Sequence, residues 1–169
     1  MIAVLRIGHR IGRDQRITTH VALVGRAFGA DKVFIDSKDE KIEEGVFSVC
    51  GRFGGDFEVV SGVRYRDMIK SWDGLVVHLS MYGEELEGSI KKIDKTRDLL
   101  VVVGAEKVPS DVYHLADFNV SVGNQPHSEV SALAVFLDRY TKGSWLNKKF
   151  DGKIQILPCD RGKKVVSRK

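Results

Sequence analysis

Residues 99–109 read LLVVVGAEKVP: five apolar residues, three of them β-branched, running into a turn that opens on a glycine. A strand with one wet face alternates apolar and polar residues. One that is apolar throughout is covered on both faces, as in a parallel sheet flanked by helices. Further strand-like runs lie at 2–7, 32–35, 57–60, 75–79 and 119–122. Helical patterns separate them. Ile17, Val21, Val24 and Phe28 share one helical face, and stretches 38–52, 64–71, 84–93 and 111–116 fill the other gaps. Such alternation predicts an α/β fold, a mostly parallel sheet with flanking helices.

The stretch 127–140, HSEVSALAVFLDRY, is apolar nearly all round. Val130, Leu133, Ala134 and Leu137 make one face, while Ala132, Val135, Phe136 and Tyr140 cover much of the rest. A helix without a polar face is buried on two sides. In so short a chain a second subunit is the natural second cover, so a homodimer through this helix is expected. Beyond Gly143 the pattern changes: KIQILP and KKVVSR flank CDRG, which predicts a hairpin. The expected division is a domain over 1–147 and a basic extension over 148–169.

The chain has 169 residues, 43% hydrophobic and 30% charged, enough for one domain with a real core and too apolar for disorder. No run reaches the roughly 20 apolar residues that span a bilayer. MIAVLRIGHR carries no small-residue cleavage site, and Cys50 and Cys159 make no disulfide framework, so a cytoplasmic protein is expected, away from membranes. Five histidines, at 9, 20, 78, 114 and 127, lack ligand spacing, and no metal is expected. Charge is uneven. Residues 1–30 carry +4, residues 148–169 carry +6, and the middle carries −6. Basic ends on an acidic body point to a polyanionic partner, nucleic acid first.

No GxGxxG, GxxxxGK[ST], GxSxG or HExxH occurs. Three polar segments stand out instead. In 8–20, GHRIGRDQRITTH, Arg10, Arg13 and Arg16 lie at the start of the first helix, where each cation opposes the helix dipole by a few tenths of a kcal/mol. Arginines so placed suit an anion such as an RNA phosphate, the plainer reading being neutralisation by Asp14 and solvent. Segments 104–109, GAEKVP, and 122–129, VGNQPHSE, each follow a strand. Gly123 and Asn124 suit a turn, Pro126 a helix start and Ser128 a cap. Together the two loops make a case for one pocket beyond the strand ends. His78 reads as a core or edge histidine, Trp72 and Trp145 as packing, and Cys50 as a small hydrophobe.

LRIGHRIGRDQRITTH (5–20), VVHLSMYG (76–83), VVVGAEKVP (101–109) and SVGNQPHSEVSALAVFLDR (121–139) together resemble the archaeal tRNA 2′-O-ribose methyltransferases that modify the T-loop cytidine at position 56, in the SPOUT superfamily. The resemblance implies a C-terminal deep trefoil knot, an exception to the rule against knotted chains, holding S-adenosyl-L-methionine. It implies cofactor contacts at Leu79, at Gly104, Ala105, Glu106, Lys107 and Val108, and at Val122, Gly123, Asn124, Gln125, Pro126, His127, Ser128 and Glu129. The helix 127–140 would lie in the dimer interface, and tRNA would meet one subunit's knot and the partner's arginine segment. Other SPOUT ribose methyltransferases carry an N-x-G-x-I-x-R pattern leading to A-F-G. Alignment on Ala27-Phe28-Gly29 puts Leu23 in place of that arginine. The catalytic role then passes to Arg16, Arg13 or Arg10, with Arg16 favoured. Two other readings stay open: a SPOUT methyltransferase of another RNA nucleotide or base, and a non-catalytic RNA-binding homologue.

Overall fold

The computed structural model describes residues 1–105 and 107–168. Strands and helices alternate: β1 (Ile2–Ile7), α1 (Gln15–Ala27), β2 (Lys32–Ile35), α2 (Glu40–Phe53), β3 (Glu58–Ser61), α3 (Tyr65–Ser71), β4 (Leu75–Glu85), α4 (Leu86–Lys92), β5 (Leu99–Gly104), α5 (Ser110–Leu115), β6 (Phe118–Ser121) and α6 (Glu129–Thr141). The sheet runs β3-β2-β1-β5-β4-β6 with every pairing parallel. Both faces of β5 are covered, as its sequence requires. Leu99, Val101 and Val103 join Val21, Ile42, Leu86 and Leu133 of α1, α2, α4 and α6 on one face. Leu100 and Val102 join Ile69 of α3 and Val112 of α5 on the other.

That division makes the topology regular. Connections running toward β3 use the face of α1, α2 and α4; those running back, β3 to β4 and β5 to β6, use the face of α3 and α5. Reversing both direction and face preserves the hand, so all five crossovers share one hand, as parallel strands demand.

Two expectations need correction. The strand at 75–79 and helix at 84–93 become an 11-residue β4 followed by a shorter α4. Leu79 and Glu84 both lie opposite Val120, so residues 80–83 leave the ladder as an excursion before pairing resumes. The excursion returns at Gly83, where a Cβ would lie 2.6 Å from the Asn119 and Val120 backbone, an approach only glycine permits. The expected helix 127–140 begins at Glu129, with Ser128 as cap accepting from Val130 N at 3.2 Å. Most of its apolar residues find cover within the chain. Ala132, Leu133, Phe136, Leu137 and Tyr140 are buried between the sheet, α1 and α4, leaving Ser131 and Val135 outward.

Past α6 the chain stays tied to the body. Trp145 stacks on Phe28 with ring centroids 4.2 Å apart, and its indole N–H donates to Asp138 at 2.8 Å. The Arg26 guanidinium covers the Phe150 ring at 4.5 Å. Gly152 passes so close to the end of α2 that a Cβ on it would lie 2.4 Å from Gly54 N. The expected hairpin then forms from β7 (Ile154–Leu157) and β8 (Lys164–Ser167), antiparallel to each other and apart from the main sheet.

Candidate functional site

Loops leaving the carboxyl ends of β4, β5 and β6 converge on a cleft of about 410 Å³, where open α/β sheets place ligands and within the usual pocket range. From β5, Gly104, Ala105 and Val108 line it. A Cβ on Gly104 would fall 2.1 Å from Val108 Cγ2, so the glycine lets the loop fold back over the strand end. From beyond β6 come Val122, Gln125, Pro126, His127 and Glu129. Gly123 turns the chain with φ +89°. Asn124 Nδ2 donates to Met81 O at 2.8 Å, pinning this loop to the β4 excursion. His127 Nε2 donates to Val122 O at 2.8 Å, closing the loop on itself.

β4 contributes Leu79, as expected, and also His78, Ser80, Met81 and Tyr82. His78 is more than a core residue. Asn119 Nδ2 donates to Tyr113 O at 2.8 Å, which turns Asn119 Oδ1 toward His78 and makes His78 Nδ1 the donor at 2.9 Å. Burial pushes the His78 pKa down, keeping the ring neutral. Tyr113 meets that ring edge-on at 4.7 Å, and its hydroxyl hydrogen-bonds Ser80 Oγ at 2.9 Å.

Of the loop residues marked in the sequence, Lys107, Gly123, Asn124 and Ser128 are outside this lining, and Glu106 lies outside the described residues. Sequence reasoning missed Arg6. It is 1% exposed, donates to Ile7 O at 2.5 Å and pairs with Glu129 Oε1 at 3.0 Å, reaching the cleft wall from β1. Burial lowers its pKa, and Glu129 partly opposes that shift. The signal was a lone cation inside the apolar run IAVLRI, since a charge buried in a strand requires a partner.

The arginine segment leaves β1 on the same side of the sheet. A Cβ on Gly8 would lie 3.1 Å from Ala105 Cβ, and His9, buried, joins it to α1 and α2 through Thr18 Oγ1 at 2.9 Å and Asp39 Oδ2 at 3.1 Å. Arg10 forms a two-pronged pair with Asp14 at 2.7 and 3.1 Å, which lowers the Asp14 pKa, so neutralisation by Asp14 holds for this one arginine. Asp14 stands at the cap position of α1 yet makes no side-chain cap bond. The side chains of Arg13 and Arg16 are exposed and, among the described residues, make no hydrogen bond or ion pair. None of the three lines this chain's own cleft.

Solved structures share this architecture. The SpoU methyltransferase AviRb of Streptomyces viridochromogenes, in complex with AdoMet, superposes with a TM-score of 0.59 at 15% identity, over 83% of this chain and 56% of its own. A TrmH/SpoU tRNA modifying enzyme of A. aeolicus gives 0.56 at 15% identity, over 86% and 76%. At such identities the likeness establishes the fold. Among curated relatives, a tRNA (cytidine(56)-2′-O)-methyltransferase of Picrophilus torridus is 55% identical over 98% of this chain and 48% of its own length. One of the same name from Methanothrix thermoacetophila is 52% identical over 99% and 98%. The chain thus spans about half of the first and nearly all of the second. The family model described as tRNA ribose 2′-O-methyltransferase, aTrm56, matches residues 53–166. A match over more than half of the chain, with relatives this similar, means that the chain belongs to the tRNA ribose 2′-O-methyltransferase family.

Proposed function

We propose that this protein methylates the 2′ oxygen of the T-loop cytidine at position 56 of tRNA, with S-adenosyl-L-methionine as methyl donor. The observation that carries the reading is the cleft shared by the loops after β4, β5 and β6. Its make-up fits the donor. Leu79, Val108, Val122 and Ala132 offer apolar walls for a purine, and Glu129, paired with Arg6, offers a carboxylate edge that can accept hydrogen bonds. When bound, the donor supplies a methyl group on a positively charged sulfur. Gly104, Ala105, Lys107, Gly123, Asn124, Gln125, Pro126, His127 and Ser128 contribute loop backbone and polar edges to donor binding.

Among the described residues Arg13 and Arg16 carry unpaired cations outside their own cleft, whereas Arg10 pairs with Asp14. A homodimer resolves this by bringing one subunit's arginines to the other's cleft, through the outward side of α6 around Val135. Arg16 then stabilises charge developing on the ribose oxygen, and positioning of the two reactants supplies several kcal/mol of the barrier. A guanidinium stays protonated and is a poor proton acceptor, so water or a phosphate takes the proton. The C-terminal part carries the deep trefoil knot, supported by β6 lying across β4 from β5 and by the contact of Asn124 with the β4 excursion. Residues 148–168 form an extension to the 1–147 body of a cytoplasmic enzyme. Among the described residues no helix is long and apolar enough to cross a membrane. Among the described residues no cluster could hold a metal ion.

The test uses labelled S-adenosyl-L-methionine, an unmodified tRNA transcript and a matched transcript altered at the T-loop cytidine. Label in the first alone, recovered as 2′-O-methylcytidine, is expected. Equal label in both transcripts, label recovered on a base, or RNA binding without transfer would each overturn the assignment.

A further inference from the structure

On the open side of the cleft stands Tyr82, 75% exposed. It sits midway along the 80–83 excursion of β4, and that excursion is held at every step. Ser80 Oγ bonds the Tyr113 hydroxyl at 2.9 Å and accepts from Tyr82 N at 3.4 Å. Met81 O accepts from Asn124 Nδ2 at 2.8 Å. Gly83 is wedged against the β6 backbone, where a side chain would overlap. The backbone is thus fixed on both sides of an aromatic ring that projects into solvent at the edge of the cleft, so the ring is presented there from a held support. The cleft's other tyrosine, Tyr113, is tied by its hydroxyl to Ser80 and by its ring to His78, and the His127 ring is held by its nitrogens to Val122 O and Ser128 O. Tyr82 is therefore the cleft's tyrosine without a side-chain partner among the described residues.

Resting on the ribose-methylation reading, we propose that Tyr82 is the platform on which the base of the methylated nucleotide stacks, so that its ribose is held over the cleft. A ribose methyltransferase reacts at the sugar, but a sugar alone offers little surface to grip. The flat base attached to it is the natural handle. A π-face serves this purpose for any base, and one on a rigid support loses little freedom on binding. By this reading Tyr82 contributes RNA affinity and ribose positioning, while selection of the nucleotide lies elsewhere.

The experiment compares wild type with Tyr82→Ala, Tyr82→Phe, Tyr82→Trp and Tyr82→Leu. For each, donor binding is measured by calorimetry and kcat/KM for tRNA by methyl transfer. Quenching is followed on a transcript with a fluorescent cytidine analogue at the methylated position. Loss of one stacked base predicts a drop in kcat/KM on the order of 10–100-fold for the Ala variant. Phe and Trp are expected to restore most of it and Leu little, with donor affinity unchanged and quenching absent only in Ala and Leu. Equal activity in the Ala variant would overturn the proposal, as would recovery with Leu as good as with Phe. Loss of donor binding in the Ala and Leu variants would also overturn it, by placing the ring against the donor, as would loss in all four, by making the role structural. A wild type that transfers no methyl to tRNA would refute the underlying reading instead, and the donor-binding arm separates the two failures.

Discussion

Arg6 and Glu129 make an unequal pair, and the inequality predicts how each will respond to removal. The Arg6 side chain is 1% exposed, whereas Glu129 keeps 22% of its side chain in water. Glu129→Gln would leave a fully buried cation without its counter-charge. Breaking a buried pair costs about 3–5 kcal/mol. Because Glu129 is partly solvated and glutamine retains an acceptor oxygen, about 2–4 kcal/mol is expected. Arg6→Met removes the costly charge itself, fills much of its volume and frees Glu129 to turn toward water, so about 1 kcal/mol is expected. Once the cation is gone the carboxylate has no partner to lose, so the double variant should be no less stable than Arg6→Met alone. Urea unfolding of the four proteins at neutral pH, with the slope held common, reads these differences as shifts in midpoint. Equal losses in the two single variants, or a double variant equal to their sum, would show that Glu129 does not balance the Arg6 charge.

A lysine–glutamate pair at the start of α2 should appear in the acid limb of the stability profile. Lys38, 2.7 Å away, and Ser61 hold the Glu43 carboxyl down at about 2 against an ordinary 4.5. With the folded value below the unfolded one, its contribution is complete above pH 4.5 and disappears as pH falls through 2. The difference in Tm between wild type and Glu43→Gln should therefore shrink between about pH 5 and 2; a constant difference would dismiss the pairing. Arg16→Lys, keeping the charge, should retain part of the transfer rate that Arg16→Ala loses, and equal losses in the two would move the charge-stabilising role elsewhere. Removing residues 161–169 should weaken tRNA binding and flatten its salt dependence, by about one unit of slope for each phosphate that the hairpin neutralises. An unchanged slope would make the hairpin purely structural.

Local chemistry was legible where it acts locally. LLVVV could only be a strand covered twice, and its alternate residues do go to opposite layers. Ser128 capped as its type and place suggest, and the tail hairpin paired as written. The loops after β5 and β6 announced a shared pocket because glycine-containing turns after parallel strands open on one side of the sheet. Neither the 80–83 excursion nor its consequences could be read this way. It exists because β4 meets β6 in two registers, and strand register is a long-range property.

The same limit governs which segment becomes whose neighbour. A helix apolar all round needs two covers, but sequence alone does not say whether the second is α1 of the same chain or another subunit. Arg6 announced that it needed a counter-charge without showing that Glu129, 123 positions along the chain, would supply it. Of the three clustered arginines, only the fold shows that Arg10 turns to Asp14 while Arg13 and Arg16 stay open. By itself, then, the sequence determined which segments become strands, helices and turns, since periodicity and capping act over a few residues. The tertiary structure alone decided which charges are neutralised and which groups face the cleft, because burial and pairing depend on what distant segments bring alongside.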